Sequence, residues 1–142
     1  MKILVAYDGS LNAKEALRHG IEKARERNAE VIALHVFNRD ILPFYDSIPG
    51  ISDRFERDVA RVVGEAEAIM HTEGTGVRSR IIQYEGSPED VILSFAREEE
   101  VDFLLCPSTF KSLSKKFSVA LHERALAVER AAREAAPQAA TS

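Results

Sequence analysis

Apolar and polar positions alternate between two periods along this chain. Ile3 to Tyr7 form a near-continuous apolar run that breaks at Asp8-Gly9-Ser10, the pattern of a strand buried on both faces that ends in a loop. From Leu11 the spacing changes. Ala13, Ala16, Leu17, Gly20, Ile21 and Ala24 recur at helical intervals, which predicts a helix capped by Ser10 or Asn12, with Glu15 three residues after Asn12. Val31 to Phe37 repeats the buried-strand pattern. Asn38 to Gly50 then carries Pro43, Pro49, Asp40 and Asp46 around the aromatic pair Phe44 and Tyr45, the composition of a long loop. Phe55, Val59, Val62, Ala66, Ile69 and Met70 lay an apolar stripe on a second helix that stops near Gly74 and Gly76.

The second half of the chain continues the alternation. Val77 to Tyr84 mixes Arg78, Ser79, Arg80 and Gln83 with Val77, Ile81 and Ile82, a wetter pattern suited to an edge strand. Ser87-Pro88-Glu89-Asp90 reads as a helix start, with Ser as cap, Pro in the first turn and acids at the positive end of the dipole. Val91, Ile92, Phe95 and Ala96 supply that helix's buried face. Val101 to Cys106 is a fourth apolar strand, and from about Ser114 the chain reads as helix almost to Pro137.

Repeated strand–helix units on short connections imply a parallel sheet with right-handed crossovers and helices on both faces. Ligands of such sheets sit at the carboxyl ends of the strands, which directs attention to the loops after strands one, two and four. With 142 residues and 45% hydrophobic content, one domain over residues 1–136 is expected, followed by an unstructured tail over 137–142.

Composition narrows the chemistry. A formal charge of −4 argues against a general nucleic-acid or membrane-surface binder, which needs excess Lys and Arg to meet phosphates. The single Cys106 excludes an intramolecular disulfide and fits a reducing, cytoplasmic compartment. The first apolar run is too short for a signal peptide core or a membrane span. His19, His35, His71 and His122 lie on different elements without metal-ligand spacing, so no metal is expected. Cys106, at a strand end with no visible activating base, reads as a small buried hydrophobe. Glu98-Glu99-Glu100 reads as a solvated helix end whose acids oppose the dipole. Phe44 and Tyr45 are candidates to close over a ligand or bury in an interface, or to pack on their own domain.

Ile3-Leu4-Val5-Ala6-Tyr7-Asp8-Gly9-Ser10, then Leu34-His35-Val36, Gly86-Ser87-Pro88 and Val101-Asp102-Phe103-Leu104-Leu105, in that order and spacing, resemble the universal stress protein family over roughly residues 2–126. The resemblance implies a three-layer α/β fold of the adenine nucleotide alpha hydrolase-like type, a doubly wound parallel sheet of strand order 3-2-1-4. It also implies that Asp8 meets the adenosine end of a nucleotide and that the main chain at Val36 lies against adenine. As a strand-end residue, Asp8 also serves equally as a turn or cap.

Two departures follow from the same resemblance. The family's phosphate site is a Gly, two residues, a Gly, nine residues, then Gly followed by Ser or Thr; aligned through Leu121-His122-Glu123-Arg124, these positions are Cys106, Thr109, Val119 and Ala120. Glycines let backbone N–H groups approach phosphate at positive φ, whereas β-branched side chains fill that space. The segment Ser108 to Lys116 offers instead the hydroxyls and ammonium groups of Ser108, Thr109, Lys111, Ser112, Ser114 and Lys115 as a replacement anion site, or as a solvated loop with capping serines. The second departure is the family's short fifth strand, in whose place Glu129 to Ser142 reads as extended helix, leaving strand four at an edge. Leu121, Ala125, Val128, Ala132 and Ala135 form a heptad-like seam there that would dock on a second copy or cover that edge, giving a homodimer, or simply extend into solvent.

These features favour a non-catalytic regulatory or protective stress-response module that acts through protein contacts and does not bind ATP in the family manner. The alternative is an adenine-nucleotide sensor for ATP, AMP or cyclic AMP that uses Asp8, Val36, Ser108, Thr109, Lys111 and Ser112. A nucleotide-hydrolysing or adenylating enzyme is disfavoured, since no Gly-Lys-Ser/Thr loop, paired carboxylate or metal cluster is present.

Overall fold

The computed structural model describes residues 1–37, 50–106, 113 and 115–124, with only the backbone of residues 51 and 52. Strands β1 (Lys2–Ala6), β2 (Glu30–Phe37), β3 (Arg78–Glu85) and β4 (Phe103–Leu105) alternate with helices α1 (Leu11–Arg27), α2 (Ile51–Glu73) and α3 (Pro88–Glu98). A further helical run, α4, covers residues 115–124. The sheet has order β3-β2-β1-β4, and every pairing is parallel. The expected doubly wound sheet of order 3-2-1-4 is therefore observed.

The period of two along β1 and β2 sorts the core into two layers. Ile3, Val5, Tyr7, Val31 and Ala33 face α1 and α2, where they meet Leu17, Ile21, Val62, Ala66 and Met70. Leu4, Ala6, Ile32 and Leu34 face the other way onto Ile92, Phe95, Ala96, Leu113 and Phe117. Both faces of the two inner strands are thus covered, which is why their sequences are apolar without alternation. β3 is exposed or half-buried along its whole length, as its mixed composition predicts.

Several boundaries depart from the sequence reading, each for a tertiary reason. Ser10, not Asn12, caps α1: its Oγ accepts from Ala13 N–H at 3.1 Å. Ser87 stands at the cap of α3 but makes no side-chain cap bond, so Pro88 and the acids carry that helix start. β4 keeps only Phe103–Leu105: α3 hands over through Glu100 in the left-handed region at φ 53°, and Asp102 N–H makes the first bond to β1, at the Lys2 carbonyl. Glu99 is not simply solvated. Its carboxylate pairs with Lys2 at 2.8 Å and Arg80 at 3.4 Å, while Lys2 Nζ also donates to the Glu99 carbonyl at 3.1 Å, offsetting the unfavourable dipole. Leu121 packs partly into the α3-side core, so the first residue of the expected seam serves its own domain. Ala125, Val128, Ala132, Ala135, the expected tail and the expected loss of a fifth strand lie outside the described residues.

Candidate functional site

Doubly wound sheets bind ligands in the crevice outside the carboxyl ends of their strands; here that position lies between the β1–α1 turn and the end of β2. β1 hands over through a turn that its own side chains build. Tyr7 N–H still donates to the Leu34 carbonyl at 2.9 Å; Asp8 Oδ1 then accepts from Ser10 N–H at 2.9 Å, and Ser10 caps α1. Gly9 sits between them at φ 81°, against the side chain of Val62. The turn holds the exposed Asp8 carboxylate at the N-terminus of α1, where the helix dipole favours a negative charge.

Val36 lies beside this turn. The register of β1 with β2 ends at Ala6↔Leu34, one pleat before Val36. Peptide groups along a strand alternate between its neighbours, so those of Leu34 and Val36 face the same side. The Leu34 carbonyl meets Tyr7, and the peptide edge of Val36 lies beyond the last paired residue of β1. A donor and an acceptor side by side at a strand end form a hydrogen-bonding edge of the kind a planar heterocycle matches.

Tyr7 and His35, next in register after Ala6↔Leu34, are neighbours beneath the cleft that the sequence reading did not join. The Tyr7 hydroxyl and His35 Nδ1 are both buried with no hydrogen-bond partner among the described residues. Burial raises the Tyr7 pKa, helped by the carboxylates of Glu65 and Asp8. Burial also lowers that of His35, partly offset by the nearby Asp8 carboxylate, so His35 is held neutral. Its ring contacts Phe37 at 6.1 Å between centroids, and Phe37 meets Phe55 edge-on at 6.2 Å, an aromatic ladder from the end of β2 to α2. The signal available in the sequence was the period of two, which puts residues 7 and 35 on one face.

Part of the expected phosphate side lies among the described residues. Val119 and Ala120, aligned with the family's Gly and Ser or Thr, fall within the helical run 115–124, and Val119 is 52% exposed. Cys106 is half-buried, less enclosed than its sequence context predicts, and packs at the margin of the α3-side core. Ser108, Thr109, Lys111, Ser112 and Ser114, like Phe44 and Tyr45, lie outside the described residues. Lys115 and Lys116 are exposed, the latter 3.7 Å from Glu89. Among the described residues no three His, Cys, Asp or Glu side chains gather to hold a metal, and no helix is long and apolar enough to cross a membrane.

A parallel sheet of this order, with a cleft at its carboxyl ends, defines the nucleotide-binding-like class of α/β proteins. Within that class the chain belongs to the universal stress protein family, whose model matches residues 1–122. It is 27% identical over 117 residues to the universal stress protein MJ0531 of Methanocaldococcus jannaschii, covering 78% of this chain and 66% of that relative's length. A solved structure from the universal stress protein family of Burkholderia pseudomallei superposes with TM-score 0.57 at 25% identity, covering 82% of this chain and 86% of the other. The universal stress protein of Archaeoglobus fulgidus, solved in complex with dAMP, has the same fold, with TM-score 0.61, 24% identity and coverage of 84% and 90%.

Proposed function

We propose that this chain is a non-catalytic stress-response module of the cytoplasm whose cleft takes the adenosine end of a nucleotide without gripping a triphosphate through main-chain donors. One observation carries the reading. Val119 lies inside a helix, with residue 113 and residues 115–118 helical before it, past the four N–H groups that a helix leaves unpaired at its start. A Gly-Ser step in that place would weaken the helix by about 1 kcal/mol and favour a new helix start with free N–H groups for phosphate; Val119-Ala120 continues the helix.

The nucleoside end is built differently. Asp8 and the peptide edge of Val36 stand where a ribose and an adenine would each find a partner, above a neutral His35. Proteins of this fold were solved with dAMP at 24% identity and, from Arabidopsis thaliana, with AMP at 20% identity; both ligands are monophosphates. In this reading the output of the module is a contact with another protein or a second copy. Assembly as a homo-oligomer through the β4 edge or α4 belongs to the same proposal, and sedimentation velocity tests it.

Calorimetric titration of the nucleotide-free chain with adenosine, AMP, cyclic AMP and ATP, with and without magnesium, tests the ligand. Adenosine, AMP and ATP are expected to bind within about threefold of one another (~0.6 kcal/mol), without a magnesium effect. Asp8→Asn keeps an acceptor for Ser10 N–H, removes the charge and is expected to weaken all of them. ATP binding about tenfold tighter than AMP would overturn the reading, as would measurable ATP turnover. Absence of heat with every ligand would remove the nucleoside and leave the protein-contact module.

A further inference from the structure

β3 ends the described sheet on one side, with no strand beyond it among the described residues. Gly86 N–H donates to the Phe37 carbonyl at 2.9 Å, and this fixes the phase of the edge. Peptide groups alternate along a strand, so those of Arg80, Ile82, Tyr84 and Gly86 point inward to β2. Those of Ser79, Ile81 and Gln83 point outward.

Natural edges are blunted by a charge, a proline or a bulge. The two arginines of this strand are turned away from the edge, and its third charge, Glu85, stands at the carboxyl end. Arg80 is bound to Glu30 and Glu99, and Arg78 donates to the Asn28 carbonyl at 3.5 Å. What remains is Ile81-Ile82-Gln83-Tyr84, uncharged and rich in strand formers.

An open space flanks the strand on each face. On the α2 side a depression of about 570 Å³ is lined by the apolar Met70, Val77 and Ile81 together with Glu67, His71 and Arg80, among others. On the α3 side a groove of about 250 Å³ is lined by Tyr84, Asp90, Val91, Ser94, Phe95 and Glu98. Tyr84 is 46% exposed and meets Phe95 edge-on at 6.1 Å. Asp90 and Glu98 form no ion pair among the described residues. A side chain opposite Ile81 on an added strand would face the α2 side, and one opposite Tyr84, three positions along, would face the α3 side.

We propose that the β3 edge accepts an extended segment of a partner protein as an added strand, with an apolar side chain in the depression beside Ile81 and, three residues away, a Lys or Arg side chain in the acidic groove beside Tyr84. Main-chain bonds to Ser79, Ile81 and Gln83 supply the attachment, and the two side chains supply the selectivity. The groove carries the carboxylates of Asp90 and Glu98 and the ring of Tyr84, which is the chemistry that separates this occupant from a neutral or acidic strand.

The test is amide NMR of the full chain titrated with a capped octapeptide of threonine and valine that carries one leucine and, three residues on, one lysine. Saturable shifts are expected at the Ser79, Ile81 and Gln83 amides and at the Tyr84 ring, with binding weakened about tenfold when glutamate replaces the peptide's lysine. Glu98→Lys is expected to reverse that preference. Gln83→Pro removes only an outward N–H, which an edge strand tolerates; it should abolish binding while leaving the circular dichroism spectrum unchanged. No shift up to millimolar peptide, or equal binding of the lysine and glutamate peptides, would overturn the proposal. Shifts of the same amides with protein concentration alone would also overturn it, since they assign the edge to a second copy.

Discussion

Gly9→Ala is the sharpest probe of the turn that places Asp8. The residue has φ 81°, and an alanine there pays about 1–2 kcal/mol for a left-handed backbone. The new methyl carbon would also stand 2.9 Å from Val62 Cγ2 and 3.2 Å from Cγ1, inside the roughly 3.5–4.0 Å at which carbon pairs are comfortable. Val62 is only 8% exposed and must move within a packed layer, which costs about 1–3 kcal/mol. The expected loss is thus about 3 kcal/mol. Urea unfolding measures it: with a slope of about 1.5 kcal/mol per molar, the midpoint falls by about 2 M. Gly50→Ala is the control, since Gly50 has φ 76° and nothing within 4 Å of the added carbon, so only the backbone cost of about 1–2 kcal/mol remains. Both variants share the same loss of unfolded-state entropy. Val62→Ala in the Gly9→Ala background should cost at least about 1 kcal/mol less than in the wild type. Equal losses for the two glycine variants, within about 0.5 kcal/mol, with additive behaviour of Val62→Ala, would refute the close contact between the turn and α2.

Other expectations follow from the same turn, from His35 and from the ion pairs of Glu65 and Glu99. Ser10→Ala removes the acceptor for Ala13 N–H and should cost about 1 kcal/mol in the same assay, while Ser10→Asp should retain most of it. His35 has its folded-state pKa lowered by burial, so the unfolded chain binds the proton more tightly. Its contribution to stability is full above about pH 6.5, is lost as pH falls through the interval down to the folded pKa, and is constant below that. Denaturation midpoints from pH 7 to pH 5 should show this slope in the wild type and lose it in His35→Gln; an identical slope in the variant would place the titrating group elsewhere. Glu65 and Glu99 have pKa values lowered first by hydrogen bonds from Lys14 and Lys2 respectively. Their pairs therefore contribute above about pH 4.5, and that contribution is lost as pH falls through the lowered values. Charge-neutral variants of either should flatten the stability curve below pH 4.5, leaving the region above pH 5 unchanged.

The two proposals describe opposite parts of one sheet. The nucleoside cleft uses the carboxyl ends of the inner strands β1 and β2; the added strand uses the outer edge of β3. β2 joins them, because Val36 at the cleft is in register with Tyr84 beside the acidic groove. A nucleoside bound on the Val36 peptide edge therefore lies one strand away from a partner bound on β3, and a titration with both ligands measures any coupling between them.

The sequence by itself determined the period of every major element, and with it the layers. Apolar runs at Ile3–Tyr7 and Val31–Phe37, five and seven residues long and bounded by turn residues, fit strands covered on both faces, and the helical spacing of Ala13, Leu17 and Ile21 sets which side of α1 meets them. The family resemblance supplied the strand order and drew attention to Asp8 and Val36. Tertiary structure decided whatever depends on contacts between residues distant in sequence. It chose Ser10 over Asn12 as the cap, shortened the fourth strand to Phe103–Leu105, and tied Glu99 to Lys2 and Arg80 across the bottom of the sheet. It left the Tyr7 hydroxyl and His35 Nδ1 buried with no hydrogen-bond partner among the described residues. Local propensity has no knowledge of these pairings: period and composition report which face a residue turns to the core, while register and packing alone report what it meets there.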